Sequence, residues 1–133
     1  MRKGLEGNLV LDSGVIISIL QGEYEEVFMG IRDRKIIPIV NIINLIEVYY
    51  VLCRKVGWEK ATEIIRDLLD SNYFRIVYVD DTIMSEISKC KCKYPVSLGD
   101  CASIATASAN KVKAVFRREK ELEELNLDEV EFI

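Results

Sequence analysis

The sequence contains no histidine among its 133 residues. This absence excludes Ser-His-Asp and Cys-His catalysis, zinc sites built on imidazole, and acid-base steps that use an imidazole. Any chemistry must therefore come from carboxylates, Lys or Arg, Ser or Thr, Tyr, or Cys.

The chain also lacks an excess of positive charge, because 22 acidic residues outnumber 18 basic ones and give a net charge of -4. A globally basic nucleic-acid coat is excluded, although a local basic patch would still attract a phosphate backbone. Repeats, linkers and low-complexity segments are missing from the sequence as well. With half of its residues hydrophobic, the chain is predicted to fold as a single domain over residues 1–133.

Long apolar runs free of charge are absent too, because Asp12 interrupts the first apolar stretch and Glu47 the second. An acid at mid-membrane costs about 3 kcal/mol, so we predict neither a signal peptide nor a membrane span. The chain has four cysteines without a CxxC pair: Cys53, Cys90, Cys92 and Cys101. They are predicted to be reduced thiols of a cytoplasmic protein, and a zinc site formed by all four is the alternative.

Short apolar runs alternate with segments of helical periodicity along the whole chain. Strands are predicted over residues 8–11, 36–40, 74–79, 113–116 and 130–133. Helices are predicted over 15–20, 24–35, from Asn41 or Asn44 to 55, 58–70, from 81 or 82 to about 89, 97–109, and in a last turn through 125. This alternation predicts an α/β fold, a three-layer α/β/α sandwich with a mainly parallel central sheet, in which Pro38 favours an edge or the start of a strand.

Two acids directly follow predicted strands, Asp12 after the first and Glu119 shortly after the fourth. Ligands of open α/β sheets bind at the carboxyl ends of the strands, so these positions indicate a site. Helix capping by Asp12 or Ser13 is the structural alternative.

Two more acids lie in helical segments. Glu47 is surrounded by apolar residues, and its alternative role is a capping box with Asn44. Asp100 begins a helix of small residues that neighbouring elements can approach closely, and its alternative role is that of a first-turn acid favoured by the helix dipole. A buried lone carboxylate is costly, so both acids need a partner, a metal or water.

Two further segments remain open to two interpretations. The basic segment 89–95, predicted as a loop, is either a solvated surface or a contact for phosphates and a base. The aromatic residues Tyr49, Tyr50 and Trp58 belong either to the core or to a subunit interface.

The chain resembles the PIN domain in the order of three motifs. These are residues 9–13, Glu47, and residues 97–100 with the segment 105–107 that follows them. Within that family the resemblance is greatest to the VapC-type toxins of toxin-antitoxin pairs, and it covers nearly the whole chain. It implies a metal-dependent endoribonuclease, a homodimer, and an antitoxin partner that inserts a segment into the active groove.

The resemblance also implies which residues carry the reaction. The acids expected to be catalytic and to bind one or two Mg²⁺ or Mn²⁺ ions are Asp12, Glu47, Asp100 and Glu119. The residues expected to contact the RNA substrate are Ser13, Arg117, Arg118, Lys91 and Lys93. Bound metal would lower the pKa of a water molecule and offset charge on the scissile phosphate, so cleavage would leave a 5'-phosphate and need no 2'-hydroxyl.

The last motif departs from the family pattern, which usually has Thr or Ser two residues before an aspartate. Arg117 and Glu119 hold these places. Glutamate reaches one methylene further, which would displace or weaken a second metal ion. A degenerate PIN domain that binds RNA or protein without cleavage is therefore an alternative. A small phosphatase with Asp12 as nucleophile is another, although Gly14 stands where that chemistry usually needs a second acid.

Overall fold

The computed structural model describes residues 4–133 as alternating strands and helices. The strands are β1 (Gly7–Leu11), β2 (Ile36–Asn41), β3 (Arg75–Val77), β4 (Lys113–Phe116) and β5 (Val130–Phe132). The helices are α1 (Ser13–Leu20), α2 (Glu25–Arg32), α3 (Ile42–Val56), α4 (Trp58–Asp70), α5 (Asp81–Lys93), α6 (Leu98–Asn110) and α7 (Lys120–Leu125). No helix within residues 4–133 is both long and apolar enough to cross a membrane.

The strands form one five-stranded parallel sheet in the order β3-β2-β1-β4-β5, which confirms the predicted α/β class. After the central strand β1, the chain adds β2 and β3 on one side and then crosses over to add β4 and β5 on the other. The direction of winding therefore changes between β1 and β4. The crevice at the carboxyl ends of these two strands is where open α/β sheets bind ligands.

The central strand is buried on both faces because successive side chains point to opposite sides of a sheet. Leu9 and Leu11 pack into a core formed with helices α1 to α4. Val10 packs into a second core formed with α5, α6 and α7. Burial on both faces explains the continuous apolar run that identified this strand in the sequence.

Asn41 fixes the relative positions of three elements at the carboxyl end of β2. Its side-chain oxygen accepts from the backbone N–H of Ile43 at 2.8 Å and caps α3. Its side-chain nitrogen donates to the hydroxyl of Thr106 on α6 at 2.9 Å. The first turn of α3 and the C-terminal half of α6 are thereby held near the end of β2.

Pro38 lies in a strand that is internal to the sheet, between β1 and β3. The strand register shows why it is tolerated, because β3 flanks β2 only from Ile39 onward, whereas Pro38 lies opposite Leu9 of β1. Pro38 thus occupies the first half of β2, which has one neighbouring strand, and a missing N–H is acceptable there.

The prediction of a basic loop over residues 89–95 is wrong for its first part, because α5 continues to Lys93. The helix is longer than predicted because Ile83, Ile87 and Cys90 repeat at helical spacing and are buried against the sheet. The positive charges of Lys91 and Lys93 in its last turn favour the helix dipole.

The prediction of four reduced thiols is also wrong, because Cys90 of α5 and Cys101 of α6 form a disulfide, with Cα atoms 5.5 Å apart. Cys53 and Cys92 are free thiols. A zinc site formed by all four cysteines is therefore excluded. The disulfide links α5 to the first turn of α6, next to Asp100.

Candidate active site

Asp12 lies between β1 and α1 and is only 8% exposed. The backbone N–H of Gly14 donates to its Oδ2 at 3.4 Å, and the hydroxyl of Ser103 donates to its Oδ1 at 2.9 Å. Burial, and then the charge of Asp100, raise the pKa of Asp12 to about 7. Asp12 is therefore both a helix cap and a buried acid, so the two roles considered from the sequence coexist.

Asn44 connects three parts of the site through its side-chain amide. The amide nitrogen donates to Oδ1 of Asp12 at 3.4 Å, to Oε1 of Glu47 at 3.2 Å, and to the carbonyl of Gly99 at 3.0 Å. Because all three neighbours are acceptors, they determine the orientation of the amide. Its Oδ1 is buried and has no hydrogen-bond partner within residues 4–133. The proposed capping box is wrong, because Asn41 rather than Asn44 caps α3.

Glu47 lies in α3 and is half-buried. The hydroxyl of Ser13 donates to its carboxylate. Gly99 of α6 faces the same carboxylate, and a methyl group added there would overlap it. Glycine thus permits the close approach of Glu47. Burial raises the pKa of Glu47, and the charge of Asp100 adds to this effect.

Asp100 forms a capping box with Ser97 at the start of α6. The backbone N–H of Ser97 donates to Oδ2 of Asp100 at 3.3 Å, and the N–H of Asp100 donates to Oγ of Ser97 at 3.0 Å. Partial burial still raises the pKa of Asp100; Glu121 adds to the increase, whereas Lys91 opposes it. Asp100 is therefore a first-turn acid, as the alternative interpretation of the sequence has it, and it also lies close to other acidic side chains.

Glu119 is exposed and precedes α7. Partial desolvation, and then the charges of Asp100 and Glu121, raise its pKa, while Arg117 opposes the increase. Glu119 therefore belongs to the same electrostatic cluster and lies on its solvent side.

Two predicted substrate contacts, Arg117 and Lys91, lie beside the acids. A Cβ added at Gly14 would stand 3.6 Å from Cδ of Arg117 and 3.8 Å from Oδ2 of Asp12. Lys91 donates to the carbonyl of Val96 at 2.8 Å. Its charge also reaches the carboxylate of Asp100.

The other two predicted basic contacts are held by neighbouring side chains. Arg118 donates to Oε1 of Glu123 at 2.8 Å, and its guanidinium lies 5.9 Å from the ring centre of Phe132. Lys93 lies 5.2 Å from the ring centre of Tyr94. Both are exposed, but the structure shows no contact that joins them to the four acids within residues 4–133.

The four predicted acids form one electrostatic cluster, because the charge of Asp100 raises the pKa of each of the other three. As they stand, no three acidic or cysteine side chains within residues 4–133 are close enough together to hold one metal ion. The amide of Asn44 contacts both Asp12 and Glu47. Ligation of one ion therefore requires side-chain rotation, which the partial exposure of Glu47 and Asp100 permits.

Comparison with protein families identifies a match to the PIN domain model over residues 9–127. The chain belongs to the PIN domain family. A comparison with curated protein sequences finds no match.

Several solved structures with the same fold are toxins or toxin-antitoxin complexes. A DNA-bound VapBC complex from Salmonella typhimurium has a TM-score of 0.74 at 16% identity and covers 94% of this chain and 97% of that chain. The sarcin-ricin loop cleaving toxin VapC20 from Mycobacterium tuberculosis has a TM-score of 0.71 at 14% identity, covering 92% and 98%. A toxin-antitoxin complex from Klebsiella pneumoniae has a TM-score of 0.70 at 19% identity, covering 92% and 95%. These likenesses show that the PIN domain described here has their fold.

Four residues of this PIN domain have roles that the sequence analysis missed: Ser103, Asn44, Gly99 and Glu121. Ser103 and Asn44 contact Asp12, while Glu121 acts electrostatically on Asp100. A signal was present for two of them, because Ser103 and Asn44 lie three helix positions from a predicted acid and therefore on the same helix face. The role of Gly99 depends on the approach of two helices that are distant in the sequence.

The residues of the cluster fit a hard divalent cation. Their donors are carboxylate and amide oxygens, which suit Mg²⁺ or Mn²⁺ better than zinc. The donors that contact Asp12 are neutral, and the buried Oδ1 of Asn44 is without a partner among the described residues. A cation bound by the carboxylates would remove the repulsion between them.

Proposed function

We propose that this PIN domain is a metal-dependent endoribonuclease and the toxin of a VapBC-type pair. The observation that carries the proposal is the mutual repulsion of Asp12, Glu47, Asp100 and Glu119 at one end of the sheet, with Asp12 buried among neutral donors. Folds of the same kind occur in VapBC complexes and in a toxin that cleaves the sarcin-ricin loop, which supports an RNA substrate.

In this proposal one or two Mg²⁺ or Mn²⁺ ions are held by Asp12, Asp100 and Glu119, with Glu47 bound directly or through water. When bound, the metal supplies a water molecule of lowered pKa and positive charge for the scissile phosphate. All other contributions come from the chain itself.

Several residues would orient these acids. Ser103 and the backbone N–H of Gly14 fix the carboxylate of Asp12, and Ser13 directs that of Glu47. Preorganised donors of this kind avoid the cost of reorganisation during a reaction. Arg117 and Lys91 lie beside the acids and would attract the phosphate backbone of RNA. Water attack of this type leaves a 5'-phosphate and does not use the 2'-hydroxyl.

An apolar surface on α3 and α4 supports the proposed homodimer. Trp58 is 61% exposed, Tyr50 is 43% exposed, and the ring of Tyr49 stacks on Trp58 with centres 4.8 Å apart. The core interpretation is therefore wrong for Trp58 and Tyr50. We expect a dimer in light scattering that Trp58→Arg converts to a monomer; a wild-type monomer would remove this part of the proposal.

Cleavage of RNA with Mn²⁺ present tests the enzymatic proposal. We expect 5'-phosphorylated fragments from the wild-type protein and none from Asp12→Asn or Asp100→Asn. Because the proposed antitoxin would insert a segment into the active groove, cleavage should also decrease when the product of a neighbouring short reading frame is added. Cleavage that persists in chelator, or in both variants, contradicts the proposal.

A non-catalytic role in binding RNA or protein is the second candidate. The observation that favours it is that no three acids within residues 4–133 stand at ligating distance, with Glu119 exposed in the last motif. Calorimetry with Mn²⁺ separates the two candidates, because a binding module needs no metal. RNA binding without any Mn²⁺ binding would favour this second function.

A further inference from the structure

The acidic cluster divides into two halves according to the charge of the partners that contact each acid. In the inner half, Asp12 and Glu47 are bound by neutral donors, namely the hydroxyls of Ser103 and Ser13 and the amide of Asn44. Neutral donors orient a carboxylate but leave its charge uncompensated. A divalent cation would therefore stabilise this half most.

The outer half, formed by Asp100 and Glu119, already has positive charge beside it, because Lys91 acts on Asp100 and Arg117 acts on Glu119. The backbone N–H of Asp12 donates to the carbonyl of Val115 at 3.1 Å, so the parallel pairing of β1 and β4 brings Arg117 beside the first turn of α1. The aliphatic part of Arg117 lies against Gly14 there, and its charge acts on Glu119. Arg117 thus stands at the crevice between β1 and β4.

We propose that the site binds a single divalent cation, held by Asp12, Glu47 and Asp100 and not by Glu119, and that Arg117 supplies the second positive charge and binds a non-bridging oxygen of the scissile phosphate. This inference rests on the proposed function and decides between one ion and two. A guanidinium suits the role, because it is always charged and donates two parallel hydrogen bonds to phosphate oxygens. Arg117 is then a substrate-positioning residue at the reacting phosphate rather than a contact to the flanking backbone.

The adjacent residue Arg118 provides a matched control for the loss of charge. It carries the same side chain, but its guanidinium is bonded to Glu123 and lies over Phe132. Replacing either arginine by methionine removes one positive charge and keeps most of the aliphatic stem. A difference in ion or RNA binding between the two variants therefore depends on where the arginine lies and not on the net charge of the protein.

Mn²⁺ calorimetry tests the number of ions without relying on activity. We expect one ion per chain for the wild type, for Arg117→Lys and for Arg118→Met, and two for Arg117→Met, in which Glu119 loses its nearby cation. Two ions in the wild type, or one in Arg117→Met, would overturn this inference and leave the proposed nuclease intact. Absence of Mn²⁺ binding from every protein would overturn the metal-dependent function as well.

Binding of a mixed-sequence single-stranded RNA oligomer tests the phosphate contact. The measurements are made in an Asp12→Asn background, which should prevent cleavage. Arg117→Met should then weaken RNA binding about tenfold and reduce the magnitude of the slope of log K against log salt by about 1. Arg117→Lys should keep the slope while losing affinity, because lysine cannot form the paired hydrogen bonds. Equal effects of Arg117→Met and Arg118→Met would contradict the assigned contact, and RNA binding by none of these proteins would contradict the nuclease proposal itself.

Discussion

At the residue scale, Asp12 is the position where the demands of folding and of a reaction diverge most. Its carboxylate is almost fully buried, is close to other acids, and receives hydrogen bonds from neutral groups. Burying an ionised carboxylate without an opposite charge is unfavourable. A position that lowers stability in this way is typical of a functional site.

Asp12→Asn should stabilise the metal-free protein at high pH. Because the pKa of Asp12 rises from 3.8 to about 7 on folding, wild-type stability falls as pH increases through this window, by roughly 4 kcal/mol. Asparagine avoids this loss, but one of the two oxygens that accept hydrogen bonds from Gly14, Ser103 and Asn44 becomes an NH2 group, which costs about 1 kcal/mol. We therefore expect the free energy of unfolding in chelator to rise by about 3 kcal/mol at pH 8 and to fall slightly at pH 4.

Urea denaturation at both pH values measures this difference, with Asp67→Asn on the exposed face of α4 as the control. A variant that is less stable than the wild type at pH 8 would show that Asp12 acts as a structural cap alone.

Gly99→Ala should separate stability from metal binding. Alanine favours a helix by up to about 1 kcal/mol over glycine. The added methyl group displaces the end of the flexible Glu47 side chain, which loses its hydrogen bonds to Ser13 and Asn44. These effects oppose each other, so the free energy of unfolding should change by less than about 1 kcal/mol.

Mn²⁺ affinity of Gly99→Ala should nevertheless fall by about tenfold or more, because one ligand has moved. Calorimetry with Mn²⁺ on Gly99→Ala and on Glu47→Gln tests this, because the two variants should lose affinity for Mn²⁺ to a similar extent. An affinity equal to that of the wild type in Gly99→Ala would show that Glu47 is not a ligand.

At the scale of elements, the sequence locates segments well where burial decides both the pattern and the boundaries. The helix predicted over 58–70 and the strand over 113–116 have the bounds of α4 and β4. The end of α5 was predicted too early, because the run of lysines was interpreted as a solvated loop, while the burial of Cys90 depends on packing against α6. The disulfide was missed for the same reason, since spacing does not reveal which cysteines meet.

The disulfide between α5 and α6 should contribute to stability, because it closes a short loop with a sequence separation of 11 residues. Its loss should lower the free energy of unfolding by roughly 3 kcal/mol. We expect dithiothreitol to destabilise the wild type by this amount. The double variant Cys90→Ala with Cys101→Ala should have the lower stability with or without reductant, and a wild type insensitive to reductant would contradict the bond.

At the scale of the molecule, the site depends on the crossover that brings separate elements to one end of the sheet. The positions of Asp12 and Glu119 after strands were visible in the sequence, because parallel strands end at the same edge. The contacts of Asn44 with Asp12 and Gly99 were not visible, because they require α3 and α6 to meet near the end of β1. Local patterns therefore indicate which acids matter, whereas topology determines what holds them.

Because the acids come from different elements, metal binding should stabilise the whole fold. It should also reverse the order of thermal stability of the wild type and Asp12→Asn. In chelator at pH 8 we expect Asp12→Asn to melt above the wild type, since it lacks the buried charge. At a Mn²⁺ concentration 100 times the dissociation constant, the wild type gains about 2.7 kcal/mol while the variant gains little. The melting difference should therefore shrink steadily as Mn²⁺ is titrated and should reverse at higher concentrations. Equal shifts in both proteins would mean that Mn²⁺ binds elsewhere, and sodium chloride at the same ionic strength controls for screening of surface charges.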